Sequence, residues 1–165
     1  MLIGAAVWQF VLAIHILAVI VAFGVLFVYP LLAVIGVRLE PRSMPWFHRL
    51  QWAVHTRLQA PGLGVVVLAG IYLASDLHDW GDFFVAWGIA VSVVIGGVGG
   101  AYISPREKRL AALAEAEVAT LASSGADRPP WSDEYRTTRR EADRARMLQL
   151  VLTIVTVFFM ALQLG

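Results

Sequence analysis

LIGAAVWQFVLAIHILAVIVAFGVLFVYPLLAVIGV, from Leu2 to Val37, runs for 36 residues without a charged side chain. About 20 apolar residues suffice to carry a helix across ~30 Å of hydrocarbon, so this stretch is long enough to span a bilayer with residues to spare. It is too long for the apolar region of a signal peptide, and no basic segment precedes it. One histidine, His15, stands inside it. A polar side chain at that depth faces a bundle interior and often marks a functional site.

The rest of the chain agrees with a membrane setting. Of 165 residues, 59% are hydrophobic and 15% charged, which is not the balance of a soluble globular domain. All 13 Lys and Arg fall in two windows, Arg38 to Arg57 and Arg106 to Arg146. The stretch between them holds Asp76, Asp79 and Asp82 and no base. By the positive-inside rule the first and third connections are cytoplasmic, and both chain ends lie outside. With no cysteine, disulfides, thiolate metal sites and cysteine nucleophiles are excluded. A nucleic-acid binder is excluded by the same composition.

Four spans are expected, at about 4–29, 51–75, 83–103 and 146–164. Tyr29-Pro30 predicts a kink or stop at the end of the first, with Leu31 to Val37 continuing as an inner-leaflet extension that ends at Arg38. Trp46 and Phe47 in the connection RLEPRSMPWFHRL read as interfacial anchors. The second span opens on Gln51, His55 and Arg57 and is interrupted at Pro61-Gly62. Asp79 and Asp82 suit the start of the third span as helix caps. In that span Gly88, Ser92, Gly96 and Gly100 recur every four residues, a ridge for close helix packing. Ser104-Pro105 predicts the start of a new, amphipathic helix lying along the membrane surface. After the break SSGADRPP, Ser132 reads as the N-cap of one continuous helix of about 30 residues. Its second half carries a polar seam of Gln149, Thr153, Thr156, Met160 and Gln163, which should face inward.

Counting residues from the expected boundaries puts His15 and His55 at a shared depth, roughly 12–18 Å from the cytoplasmic edge. Facing imidazoles hold haem iron in helix bundles, and neutral imidazole also suits copper or zinc. The plain structural alternative is that each histidine hydrogen-bonds a neighbouring helix. His48 shares the face of His55 and is expected to be a solvated rim residue. His78 with Asp76, Asp79 and Asp82 forms an acidic outer loop, explained by capping and solvation or by capture of a metal. No Ser/His/Asp arrangement, phosphate-cradling loop or pair of intramembrane carboxylates is present.

HILAVIVAFGVLFVYPLL, from His15 to Leu32, is similar to the first span of the bacterial membrane protoporphyrinogen oxidase family, in its histidine, small-residue position and Leu-Phe…Pro exit. HTRLQAPGLGVVVLAGIYL, from His55 to Leu73, resembles that family's second span in Arg57, Pro61 and Gly70. Copper-resistance-type membrane domains share the pattern. So does a family of predicted four-span membrane proteins of unknown function, the best match in length and span number. The likeness covers roughly the first half of the chain. It implies haem binding at His15. The oxidase family also relies on a third-span lysine; here Gly88 stands in that region and no span contains a lysine.

The expectation is therefore an all-α, four-helix integral membrane bundle of the bacterial cytoplasmic membrane, forming one domain, with a helical cytoplasmic connection over 105–145. Haem b is the expected cofactor, with His15 as ligand, His55 as a second ligand, and Tyr29 and Arg57 as further contacts. Two other functions fit the same residues: a small metal or solute permeation protein, built on the fourth-span seam, or a non-catalytic accessory subunit. The expected partners are the lipid bilayer and a second copy or another membrane protein.

Overall fold

The computed structural model describes residues 2–77, 80–124 and 131–162. Among these there are only helices and short connections. Four of the helices are long and apolar enough to cross a membrane.

The first helix, Leu2–Arg38, passes through Pro30 without a break. In a bilayer a proline does not end a helix as it does in water, because the freed backbone groups have no solvent to turn to. The helix is not interrupted at Tyr29-Pro30, and it ends at Arg38, as the expected extension does.

The second and third helices share a device. After a 3-10 turn at Pro41–Ser43, the second runs Met44–Val54 as α-helix, widens to π over His55–Gln59, and resumes as Ala60–Leu77. The third runs Phe83–Gly97, widens over Val98–Ile103, and resumes as Ser104–Ser124. Each wide turn ends two residues before a proline, Pro61 in one case and Pro105 in the other. Proline has no amide to give the carbonyl four residues back, and its ring crowds that carbonyl. Widening the preceding turn relieves the clash: Ala60 and Ser104 donate five residues back, to the His55 and Gly99 carbonyls.

Neither proline therefore breaks its helix. Ser104–Ser124 is not a separate helix on a membrane surface; it continues the third span and packs within the bundle. Leu110 and Ala114 lie in a buried cluster with Met44, Phe47, Tyr135 and Ala142. Phe47 is core, only 4% exposed, while Trp46 beside it is 63% exposed and remains the one available anchor of that pair.

The fourth helix, Asp133–Leu162, is 30 residues long. Ser132 caps it, its hydroxyl accepting from the Tyr135 amide at 3.1 Å. Glu117 accepts from both the amide and the hydroxyl of Ser132, tying this helix start to the third helix. Asp82 precedes the third helix but makes no side-chain cap bond. His78, Asp79, Gln163 and the break around 125–130 lie outside the described residues.

A second buried cluster, of Ala18, Ala22, Leu63, Val66, Val91 and Ile95, fills the apolar half of the bundle. Between the two clusters lies a layer of buried polar side chains, and beyond the apolar cluster lies a cavity.

Candidate functional site

A cavity of about 240 Å³, open on one side, lies between all four helices in the apolar half. His15 from the first helix, Gly70 from the second, Gly88 and Ser92 from the third, and Met160 from the fourth are in its wall. Two glycines set the positions of the side chains that carry chemistry. A Cβ on Gly70 would lie 3.3 Å from His15 Cε1, so the imidazole rests in the notch left by the missing side chain. A Cβ on Gly88 would lie 2.3 Å from Met160 Cε, so the thioether methyl fills the corresponding notch on the third helix. The Val66 backbone approaches the His15 ring. His15 Nδ1 is nevertheless buried without completing a hydrogen bond.

The expected glycine ridge thus works chiefly by receiving side-chain ends. Gly88 takes Met160, Gly96 takes a Leu63 methyl and Gly99 takes the His55 ring, whereas Gly97 and Gly100 meet nothing within 4 Å.

His55 is buried at a different level. Its ring packs on Gly99 so closely that a Cβ there would fall 2.4 Å from Cε1. Its Nδ1 is 2.9 Å from Gln59 Oε1, across the wide turn. Because His15 sits against Gly70 and His55 lies 15 residues earlier on the second helix, the two imidazoles are separated by about 22 Å along the axis. Two imidazoles on one metal must come within about 4 Å. The shared depth expected for them is incorrect: the expected helix boundaries were misplaced, since the first helix runs on to Arg38 and the second begins at Met44. Tyr29 and Arg57 do not join His15 either. Tyr29 is 14 residues, about 21 Å, along the first helix, with the Arg146 guanidinium 4.7 Å above its ring. Arg57 is exposed.

His48 is the largest departure from the expected pattern. It is buried rather than solvated, and both ring nitrogens are bonded. Nδ1 is 3.2 Å from Glu107 Oε2 and Nε2 is 3.0 Å from the Tyr135 hydroxyl. The pattern is satisfied when Nδ1–H donates to the carboxylate and the phenol donates to Nε2. Glu107 also receives Arg146, whose other amino group reaches Asp143 at 3.2 Å. Three helices are therefore joined through one carboxylate with no exposure of its own. The signal was present in the sequence as a column: His48, Gln51, His55 and Gln59 step by three, four and four along one helix face.

Of the fourth-helix seam, Gln149, Thr153 and Thr156 turn inward and are buried, whereas Met160 is 41% exposed and reaches in only with its terminal methyl at Gly88. Each of the three buried side chains is consumed by the bundle. Gln149 Nε2 donates to the Ile95 carbonyl at 2.8 Å, just before the third helix widens. Thr153 and Thr156 donate to carbonyls four residues back, and Trp87 Nε1 donates to Thr156 at 3.1 Å.

Among the described residues no group of three or more histidine, cysteine or acidic side chains is placed to hold a metal ion. No family model, curated protein or solved structure matches this chain.

Proposed function

We infer that this chain is a multi-pass membrane protein that binds a bilayer-dissolved ligand in the cleft at His15. The observation that carries the reading is an imidazole in the wall of an apolar cavity whose ring makes no side-chain hydrogen bond among the described residues. Buried polar atoms in folded proteins are almost always bonded, and an exception asks for a missing partner. The distribution of Lys and Arg favours an orientation with the His48–Glu107 end facing the cytoplasm, and the resemblance implies the bacterial cytoplasmic membrane as the setting.

Haem b was the occupant implied by resemblance, and the cleft supports it only in part. His15 is one suitable ligand and Met160 is a second side chain in the wall able to bind iron. Among the described residues no cation lines the cavity, however, and the nearer end of the bundle carries Asp76 and Asp82. Two propionates would meet those like charges there. Tyr29 and Arg57 are too far along the bundle to serve. The residues fit a neutral occupant better than a dicarboxylate porphyrin.

The permeation reading draws less support, because the polar seam on which it rested spends its hydrogen bonds on neighbouring backbone and on Trp87. Organic extraction of the detergent-purified chain, with an optical spectrum taken oxidised and reduced, tests the cleft. A stoichiometric small molecule or chromophore that disappears in His15→Leu is expected. Equal and substoichiometric extracts from both proteins would end the proposal.

A further inference from the structure

The wall of the cleft narrows the chemistry of what enters it; the inference that follows rests on the reading of the cleft as a ligand site. Among the described lining residues only His15 and Ser92 carry side-chain nitrogen or oxygen, and none is charged. A charged occupant would be held at membrane depth without a counter-ion from these residues. An occupant with no polar atom would leave the free nitrogen of His15, Nε2, without a partner in an apolar site. A neutral, mostly apolar molecule with one or two oxygens meets both conditions. The size adds a third. A water occupies ~30 Å³ in the liquid, so about 240 Å³ admits one substituted six-membered ring while any longer tail leaves through the open side. Phe84 supplies an aromatic face in the same wall.

We propose that the cleft binds the headgroup of a membrane-dissolved quinone or hydroquinone, with His15 Nε2, the ring nitrogen turned away from the Gly70 notch, bonding a ring oxygen. Neutral imidazole is suited to both forms. Its nitrogen donates to a quinone carbonyl in one tautomer and accepts from a hydroquinone hydroxyl in the other. Ser92, buried on the third helix, is the second polar contact that the wall offers. Gly70 gives the imidazole its seat, since a Cβ there would crowd the ring by a few tenths of an ångström.

The test uses the full chain in phosphatidylcholine nanodiscs, with tryptophan quenching as the readout. A decyl-tailed benzoquinone, a bromophenyl decane of similar size and haem are titrated separately. Trp87 lies next to Gly88 of the wall, so an occupant of the cleft quenches it. Saturable quenching by the quinone is expected, weaker by about tenfold in His15→Leu, as for loss of one buried hydrogen bond. His15→Gln, which keeps an amide nitrogen, should restore binding to within about threefold. Leu17→Ala, on the exposed face of the first helix, should leave it unchanged. If His15→Leu does not purify as a single helical species, Ser92→Ala is read in its place and should also weaken binding. Linear quenching, equal in every variant, would mean partition into lipid alone and would overturn the quinone proposal. Saturable, His15-dependent binding of haem or of the bromophenyl decane, with none of the quinone, would keep the cleft as a site and reject the ligand class. Absence of saturable binding by all three would remove both.

Discussion

His48 and His15 stand toward opposite ends of one bundle, and their surroundings divide the molecule into two kinds of interior. Around His48 both ring nitrogens are answered: Glu107 and Tyr135 bond them, and Arg146 closes a network that joins the second, third and fourth helices, with its own Nε left over. Around His15 the walls are apolar apart from Ser92, no side chain among the described residues bonds the ring, and a cavity lies beside it. The difference teaches that a histidine in an apolar helix carries no meaning by itself. Its unspent hydrogen-bonding capacity separates an imidazole that holds helices together from one that waits for a ligand.

The comparison is broken most severely at Glu107. Glu107→Ala strands His48 and Arg146 in a dry interior and should lower stability by about 3–5 kcal/mol, read as thermal unfolding in detergent. A loss below about 1 kcal/mol would show that the charged end is not the clasp described here. Gly99→Val comes next. Its Cβ would intrude on the His55 ring, and overpacking of this kind costs about 1–3 kcal/mol; an unchanged melting temperature would mean that the third helix does not sit where the wide turns place it. Gln149→Leu removes the amide that satisfies the Ile95 carbonyl and should cost about 1 kcal/mol. The smallest effect belongs to His15→Leu. Because the ring makes no side-chain hydrogen bond among the described residues and has the Val66 backbone as its polar neighbour, stability should drop by no more than about 1 kcal/mol while ligand retention falls. A large destabilisation there would make His15 a second His48 and would erase the contrast.

Much of the architecture was legible in the chain. The four apolar runs, the cap at Ser132 and the inward turn of Gln149, Thr153 and Thr156 follow from hydropathy and helical spacing. What escaped has physical causes. Pro61 and Pro105 read as breaks because proline in water ends helices, whereas here each is accommodated by a wide turn two residues earlier. The prolonged helices moved the boundaries, and the depth assigned to His55 moved with them. The His48 network was hidden because its members are far apart in sequence, 59 residues from His48 to Glu107 and 39 from there to Arg146. Spacing along one helix reveals which face is polar; it does not reveal which distant carboxylate will arrive.

The wide turn at His55–Gln59 also acts as a take-up reel. Each residue of an α-helix advances the azimuth by about 100°, and a turn closed by bonds five residues back takes in one residue more than an α turn over nearly the same angle. The inward column of His48, Gln51, His55 and Gln59 therefore carries on past it through Leu63 and Val66 on the same side of the helix. Because the slack is absorbed locally, the polar end and the cleft end of one helix keep a common bearing although Pro61 stands between them.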